Sequence, residues 1–262
     1  MTTSALSRRK IRMITPVPVP SEAHPLFYGQ VPDSFVRSGT DIEFDFAREG
    51  GFLVDSYYDS ALASVFVLEA AQKAEQEGCD AVCVMTVTDT GLDAVRSRLS
   101  IPVVGAGLSS FLLACDLANR FSIITLWDRW RPTYKKNLKL YGLENHLASV
   151  RDINTHPNLE ALLTGKEEVV FTALEQAAKQ AIEEDGAEAI VLGSTTMYQS
   201  HQYLAERLNV PVINPALVAY MACENLLDLS LTHSRTAYMA PENLNDDLLS
   251  GIASRYPGST TV

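Results

Sequence analysis

Cysteine and basic residues are both scarce in this sequence, and each scarcity excludes a class of protein. The chain of 262 residues has four cysteines, with no Cys-x-x-Cys pair and no histidine at metal-ligand spacing. We therefore expect buried free thiols rather than disulfides or zinc ligands. Acidic residues outnumber Lys and Arg by 32 to 21, which gives a net charge of −11. Nucleic-acid binding is disfavoured, because affinity for a polyanion comes largely from Lys and Arg.

Long apolar runs and cofactor motifs are also absent from the sequence. No stretch reaches the roughly 18 apolar residues of a membrane span, and residues 1–10 lack the apolar centre of a signal peptide. No phosphate loop, dinucleotide glycine pattern or metal-ligand cluster is present. The short run Gly105-Ala106-Gly107 is expected to ease a tight turn. These absences predict a cytoplasmic protein that uses no cofactor, no metal, no membrane and no nucleic acid.

An internal repeat is the most informative positive feature. Residues 78–104, read as GCDAVCVMT and closing on RLSIPVV, recur in register at residues 186–213, read as GAEAIVLGS and closing on RLNVPVI. Such self-similarity indicates a duplicated supersecondary unit. It places Thr86 and Ser194 at equivalent positions, where an apolar run stops.

Apolar runs of strand length alternate with amphipathic stretches along the chain, while prolines exclude regular structure between residues 16 and about 33. This alternation predicts an α/β fold of two pseudo-symmetric lobes, each a parallel sheet flanked by helices. We expect one lobe from residues 1–118 plus 216–262 and the other from residues 119–215. The predicted strands are residues 11–14, 81–85, 101–104, 121–126, 148–153, 189–192 and 210–213. The predicted helices are residues 56–77, 91–99, 108–118, 132–141, 167–184, 197–208 and 216–227.

Polar segments follow the apolar run in both repeats, at residues 86–91 and 194–199. Ligands of open parallel sheets bind beyond the carboxyl ends of strands, where helix N-termini offer free N–H groups. Backbone N–H groups at Val87–Thr88 and Thr195–Thr196 are therefore expected to hold a carboxylate or imide. Helix capping alone also explains Ser, Thr and Asp at such positions. The presence of the pattern in both repeats favours a shared ligand site.

Several short motifs together carry a resemblance to a known family. The motifs are Ile14-Thr15-Pro16, Asp55-Ser56-Tyr57-Tyr58-Asp59, Thr86 with Asp89-Thr90-Gly91-Leu92, Ile101-Pro102-Val103-Val104-Gly105 and Leu192-Gly193-Ser194-Thr195-Thr196-Met197. With these motifs, the sequence resembles the aspartate/glutamate racemase superfamily, in its hydantoin racemase-like branch, from about residue 11 to residue 227. The resemblance implies two similar α/β lobes with the substrate in the cleft between them, and a cysteine on each lobe that removes or returns a proton.

The sequence departs from the family at both cysteine positions, which match Thr86 and Ser194. It also has Thr15-Pro16-Val17 where the family usually has Asn-Pro-Asn. A thiol ionises near pH 8.5, whereas a hydroxyl serves as a carbon base only after a neighbour deprotonates it. The resemblance therefore predicts the fold, but not racemisation by two thiols.

The candidate catalytic residues are Thr86, Ser194 and Asp89, which we expect at the lip of the same pocket. Trp127, Trp130 and Tyr134 are interpreted as a substrate lid or as a packed helix start, and no role is assigned to His156. The candidate substrate-binding residues are Thr15, Pro16, Asp55, Ser56, Val87, Thr88, Thr125, Thr195, Thr196 and Tyr198.

Three functions remain open at this point. The resemblance favours an isomerase that acts, without a cofactor, on a small carboxylate, hydantoin-like or amide substrate. A lyase, decarboxylase or hydrolase could instead use the hydroxyls of Ser194 and Thr86 as nucleophile or hydrogen-bond donor. A non-catalytic protein that binds a small anion is the third. We further expect a homo-oligomer.

Overall fold

The computed structural model describes residues 8–157 and 167–252. Eight strands are described, and they are β1 Arg9–Thr15, β2 Thr40–Phe46, β3 Ala81–Val84, β4 Val103–Gly105, β5 Phe121–Thr125, β6 Leu147–Asp152, β7 Ala189–Leu192 and β8 Val212–Ile213. The α-helices of the described residues are α1 His24–Tyr28, α2 Tyr57–Gln76, α3 Leu92–Arg98, α4 Ala106–Leu117, α5 Arg131–Tyr141, α6 Glu167–Glu183, α7 Ser200–Ala205, α8 Pro215–Asp228 and α9 Asp247–Ser250.

The strands form two parallel sheets of four, ordered β2-β1-β3-β4 and β6-β5-β7-β8. Helices cover both sheets, so the predicted α/β class with two parallel sheets is confirmed. In the first sheet Ile14 pairs with Val84, and in the second Ile124 pairs with Leu192. The strand that ends at each repeat loop is therefore central in its sheet, where both faces are buried.

The two repeats share their local structure. Gly78 and Gly186 both adopt positive φ, at +80° and +72°. In the first repeat the Val82 amide donates to the Pro102 carbonyl at 2.9 Å. The equivalent bond in the second repeat, from Ile190 to Pro211, is also 2.9 Å. The duplicated unit read from the sequence is thus a duplicated piece of backbone.

One strand, one short helix and several boundaries differ from the sequence-based prediction. Helix α1, His24–Tyr28, lies where the prolines were expected to exclude regular structure, because Pro25 occupies its first turn, where a missing N–H costs no hydrogen bond. Strand β2, Thr40–Phe46, was missed because it is a half-buried edge strand that carries charged residues. Its Glu43 and Asp45 pair with the buried Arg12 of β1, at 2.7 and 3.0 Å.

Strands β4 and β8 begin only after Pro102 and Pro211, because proline has no N–H for the sheet ladder. The predicted helix 197–208 is instead a 3-10 turn, Thr195–Gln199, followed by α7.

Helix α4 and helix α8 connect the two sheets. Phe111 and Ala114 of α4 pack into the core of the second sheet beside Phe121. Helix α8, which follows the second sheet, returns to pack on the first, where its buried Cys223 lies in the same core as Cys83. The lobe limits given above stay a prediction. No helix within the described ranges is both long and apolar enough to span a bilayer.

Candidate active site

A cavity of about 440 Å³ lies at the carboxyl ends of the central strands of both sheets. Both repeat loops open onto it, the first through Thr86 and Thr88 and the second through Ser194 and Thr196. The residues that line it are Thr15, Pro16, Val17, Pro18, Val19, Pro20, Phe27, Phe52, Leu53, Val54, Met85, Thr86, Thr88, Leu126, Trp130, Tyr134, His156, Pro157, Gly193, Ser194, Thr195 and Thr196.

The two loops have nearly the same hydrogen-bond geometry. Thr86 Oγ1 lies 2.8 Å from Thr88 Oγ1, and Ser194 Oγ lies 2.9 Å from Thr196 Oγ1. Each loop closes with a backbone bond three residues long, from Asp89 to Thr86 at 3.1 Å and from Met197 to Ser194 at 3.2 Å. We call these segments, residues 86–89 and 194–197, the first and second hydroxyl loops. The structure thus brings Thr86 and Ser194 to one cavity from equivalent turns.

Two of the backbone N–H groups that were predicted to bind a ligand already donate hydrogen bonds within the loops. The Thr88 amide donates to Thr86 Oγ1 at 3.4 Å, and the Thr196 amide donates to Ser194 Oγ at 3.3 Å. Local capping, the alternative weighed above, therefore accounts for these two amides. Their role in ligand binding stays a prediction.

The middle residue of each loop crosses to the opposite half of the molecule. Val87 follows a strand of the first sheet, but its side chain is buried in the core of the second sheet. Thr195 follows a strand of the second sheet and donates its hydroxyl to the Met85 carbonyl at 3.2 Å. This reciprocal exchange fixes one loop against the other. Val87 does not line the cavity, whereas Thr195 does.

Asp89 lies beside a second, smaller cavity of about 200 Å³ rather than on the main one. Its φ is +49°, and the buried carboxylate accepts hydrogen bonds from the amides of Gly107, at 2.9 Å, and Leu108, at 2.7 Å. The Tyr141 hydroxyl is the third donor, at 2.8 Å. These donors draw the side chain toward the start of α4, away from the expected lip. Burial outweighs them and raises the pKa of Asp89 to about 7.

Two hydroxyl groups lie close together behind the second loop, and a third lies at the end of β1. Thr125 is fully buried and lies 3.2 Å from the Tyr134 hydroxyl, which itself donates to the Gly193 carbonyl at 2.6 Å. Thr125 therefore supports the loop from behind, outside the cavity lining. Thr15 and Pro16 line the cavity, and the buried Thr15 Oγ1 has no hydrogen-bond partner among the described residues. Their role in substrate binding stays a prediction.

Three other predicted binding residues lie away from the cavity lining. Ser56 caps α2 by accepting a hydrogen bond from the Asp59 amide at 3.1 Å. Asp55 lies 3.6 Å from Arg129, and its desolvation together with Asp59 raises the pKa of Asp55. Tyr198 packs against the cluster of Ala23, Leu26 and Phe27. The neighbouring Leu53 and Val54 reach the cavity instead.

Most of the cavity wall was not identified from the sequence. The segment from Val17 to Pro20 and the side chains of Phe27 and Phe52 are apolar and match no catalytic motif, so the sequence held no signal for them. His156, to which no role was assigned, lines the cavity, and its ring is tilted by 58° against that of Trp127 with the ring centroids 4.6 Å apart. Trp130 and Tyr134, interpreted earlier as a lid or a helix start, are part of the wall.

The described lining includes no Asp, Glu, Lys, Arg or Cys. No group of three or more His, Cys, Asp or Glu in the described ranges is arranged to hold a metal ion. The polar groups of the lining residues are therefore hydroxyls, backbone groups, one imidazole and the indole N–H of Trp130. Such a set can donate hydrogen bonds to a neutral ring or stabilise an oxyanion, but it offers no fixed counter-charge.

Comparison with known proteins identifies a family for this arrangement. The family model of Asp/Glu/hydantoin racemases matches residues 30–223. The hydantoin racemase of Paenarthrobacter aurescens is 34% identical over 209 residues, which cover 79% of this chain and 87% of that protein. The hydantoin racemase of Pseudomonas sp. (strain NS671) is also 34% identical, over 80% of this chain and 83% of its own length.

Solved structures agree with the sequence relatives. The allantoin racemase from Klebsiella pneumoniae superposes with a TM-score of 0.82 at 30% identity, covering 90% of this chain and 95% of that one. A glutamate racemase from Francisella tularensis, at 15% identity and a TM-score of 0.60, shares the fold. The chain belongs to the Asp/Glu/hydantoin racemase family, in its hydantoin racemase-like branch, and is an enzyme of the isomerase type.

Proposed function

We propose that this enzyme racemises a small, neutral ring amide of the hydantoin type that carries an apolar substituent. The observation that carries the proposal is the cavity lining, which is mainly apolar and has no carboxylate, ammonium or guanidinium group among the described residues. A charged amino acid would lose its hydration there without gaining a counter-ion. A neutral imide needs only hydrogen bonds, which hydroxyls and backbone groups supply.

The hydroxyls of Thr86 and Ser194 are proposed to hold the ring from two sides. They lie at equivalent positions of the two hydroxyl loops, at one cavity. When the acidic C–H bond breaks, its electron pair moves onto the adjacent carbonyl oxygen, and hydrogen-bond donors aimed at that oxygen stabilise the developing charge. The unpartnered Thr15 hydroxyl is a further donor available to the substrate.

We assign the proton exchange to His156, because histidine is the side chain that most often serves as general acid and base in catalysis. It is the one imidazole among the described lining residues. In this scheme the imidazole takes the proton from the ring carbon, and the electron pair forms a planar enolate. Return of the proton by the imidazolium restores the starting configuration. Protonation on the opposite face by a water molecule, whose hydroxide then takes the imidazolium proton, gives the other configuration. The substitution of both family thiols by hydroxyls thus changes which residue holds the proton.

The test uses one enantiomer of 5-benzylhydantoin in deuterated buffer, with optical rotation and mass measured together. We expect optical rotation to disappear while one deuterium enters at the ring carbon, and a chelator to leave the rate unchanged. Allantoin, whose ureido substituent is polar, is the comparison substrate and should be turned over less efficiently. Exchange no faster than in buffer alone would overturn racemisation, and a preference for allantoin would overturn the apolar pocket assignment.

A hydrolase is the second candidate, since Ser194 and His156 line the same cavity and a serine beside a histidine can act as nucleophile. The same assay distinguishes it, because ring opening adds one water to the mass. Binding without a change in mass or rotation would indicate a non-catalytic protein.

A further inference from the structure

Helix α5 contacts both hydroxyl loops through one of its faces. Tyr134, Asn137 and Tyr141 follow one another at spacings of three and four residues, so they lie along a single side of the helix. Tyr134 is fully buried, Asn137 is nearly so, and Tyr141 is half-buried. The opposite side of the helix is exposed and carries Lys135, Lys136 and Lys139.

Each of the three side chains donates one hydrogen bond, either to a hydroxyl loop or to the residue that immediately precedes one. The Tyr134 hydroxyl donates to the carbonyl of Gly193, which immediately precedes Ser194, at 2.6 Å. The Asn137 amide donates to the Thr88 carbonyl at 2.6 Å, and the Tyr141 hydroxyl donates to the Asp89 carboxylate at 2.8 Å. The first bond holds the second loop, and the other two hold the first loop.

We propose that Tyr134, Asn137 and Tyr141 are positioning residues that set the spacing between the Thr86 and Ser194 hydroxyls. We call these three side chains the α5 clamp. Each loop is also tied to its own sheet, by the amides of Met85 and Gly193 that donate to Ile14 and Ile124. Side chains of helix α5 donate hydrogen bonds at both loops. Because the helix is rigid, these bonds fix the distance between the two loops. The catalytic consequence of this clamp rests on the proposed function, whereas the clamp itself does not.

Removal of the Tyr134 or Asn137 donor takes a hydrogen bond from the buried Gly193 carbonyl or from the carbonyl of the half-buried Thr88, and removal of Tyr141 leaves Asp89 with two donors instead of three. The affected loop would then move to regain the lost hydrogen bond. A displacement of about 1 Å at a reacting group can cost on the order of a hundred-fold in rate. The two equivalent loops are therefore held in place by the side chains of a single helix.

The hydrogen bond between Tyr141 and Asp89 should depend on pH, because the Asp89 carboxyl group can lose or gain a proton. The groups that face it are the Tyr141 hydroxyl from α5, the amides of Gly107 and Leu108 from α4, Arg96 from α3 and the Cys83 thiol from β3. All of its hydrogen-bond partners donate, so the ionised carboxylate suits this geometry. Loss of the Tyr141 hydroxyl removes a donor that lowers the pKa of Asp89 and should move that pKa upward.

Hydrogen exchange of backbone amides tests the clamp without any substrate. Tyr134→Phe should speed exchange in the second hydroxyl loop and leave the first unchanged. Asn137→Leu and Tyr141→Phe should do the opposite. Lys135→Ala, on the exposed side of α5, should change neither loop, and Leu138→Val, fully buried in the same helix, should lower stability without loop selectivity. Equal exchange in both loops for all clamp variants would overturn the proposal.

Turnover of 5-benzylhydantoin then tests the catalytic consequence. Each clamp variant should lose about ten- to a hundred-fold in kcat with little change in KM, because the substrate still fits while the hydroxyls are displaced. Tyr141→Phe should also move the acidic limb of the kcat profile to higher pH. A loss of kcat no larger than that of Leu138→Val, or an unmoved limb, would overturn the positioning role. Absence of turnover in the unmodified enzyme would count against the proposed function, and the exchange data would still decide the clamp.

Discussion

Thr86 and Ser194, which are predicted from the sequence to stand at the positions of the family's two cysteines, are the residues on which the proposed chemistry depends. Both hydroxyls line the main cavity, and both are hydrogen-bonded within their own loop at 2.8 and 2.9 Å. A hydroxyl held in this way is a well-oriented donor but a poor base. The two residues are therefore better suited to stabilise an enolate than to remove a proton from carbon.

Replacement of these hydroxyls should slow the reaction unequally. We expect Ser194→Ala to lower kcat by about a hundred-fold or more, as loss of an oriented donor to a developing oxyanion does. Thr86→Ala should cost less and act partly through KM. Ser122→Ala is the matched control, because Ser122 forms a similar hydroxyl pair with Ser149 at 2.8 Å away from the cavity. Equal rates for Ser194→Ala and the control would contradict the assignment.

Asp89 leads to a prediction about stability rather than rate. Its pKa is raised to about 7 in the folded protein, against roughly 3.9 in an unfolded chain. The folded state then binds the proton more tightly, so this residue's contribution is full below pH 4 and is lost as pH rises toward 7. Relative to Asp89→Asn, the enzyme should lose about 4 kcal/mol in the free energy of unfolding between pH 4 and 8.

Urea unfolding of both proteins across this pH range measures the difference directly, since asparagine does not titrate. The sign of the change in this stability difference with pH decides whether burial or the three donors control the pKa of Asp89. A difference that grows in favour of Asp89 as pH rises would mean that its three donors outweigh burial.

At the scale of elements, the start of α4 depends on a close approach between two loops. A Cβ on Gly107 would meet the Val87 carbonyl oxygen and lie 2.6 Å from the Asp89 carboxylate. The sequence-based interpretation of Gly105 and Gly107, an eased turn, was incomplete, because the glycines also make room for the Asp89 side chain. The backbone of neither residue has a positive φ, so space is the reason for glycine here.

Gly107→Ala should therefore destabilise the enzyme although alanine favours helices. The propensity gain is about 1 kcal/mol, whereas forcing a methyl group into fixed backbone costs about 1–3 kcal/mol, and the Asp89 contacts are lost as well. We expect a lower Tm and a large loss of activity. Gly251→Ala is the control, since its nearest neighbour would be 3.6 Å away. An unchanged Tm for Gly107→Ala would show that the loop can yield.

The buried parallel strands could be predicted from the sequence, whereas the edge strand could not. Strands such as β3 and β7 are continuous apolar runs, because both of their faces are covered. Strand β2 carries acidic residues whose partner, Arg12, is about thirty residues earlier in the chain, so its stability is non-local. The repeat located the hydroxyl loops correctly because it recorded backbone geometry that both copies share.

At the scale of the whole molecule, one part of the cavity lining could be predicted from the sequence and the rest could not. Its floor is the two hydroxyl loops, which the repeat identified. Its wall comes from distant loops, such as Val17–Pro20, Phe52 and His156, that are brought together only by folding. Apolar loop residues and a single histidine have no spacing that marks them as a site. For this reason the sequence indicated the two loops at which the chemistry is proposed to occur, but not the kind of substrate that fits.

The central claim is that the hydroxyl-lined cavity exchanges the acidic C–H of a neutral ring amide. The most direct measurement is deuterium entry at the ring carbon of 5-benzylhydantoin, compared among three proteins: the unmodified enzyme, the Thr86→Ala/Ser194→Ala variant and the Thr86→Cys/Ser194→Cys variant. We predict slow exchange with loss of optical rotation for the first, near-background exchange for the second and faster exchange for the third, because thiols ionise near neutral pH. Exchange by the unmodified enzyme that is undiminished in the double alanine variant would contradict the account.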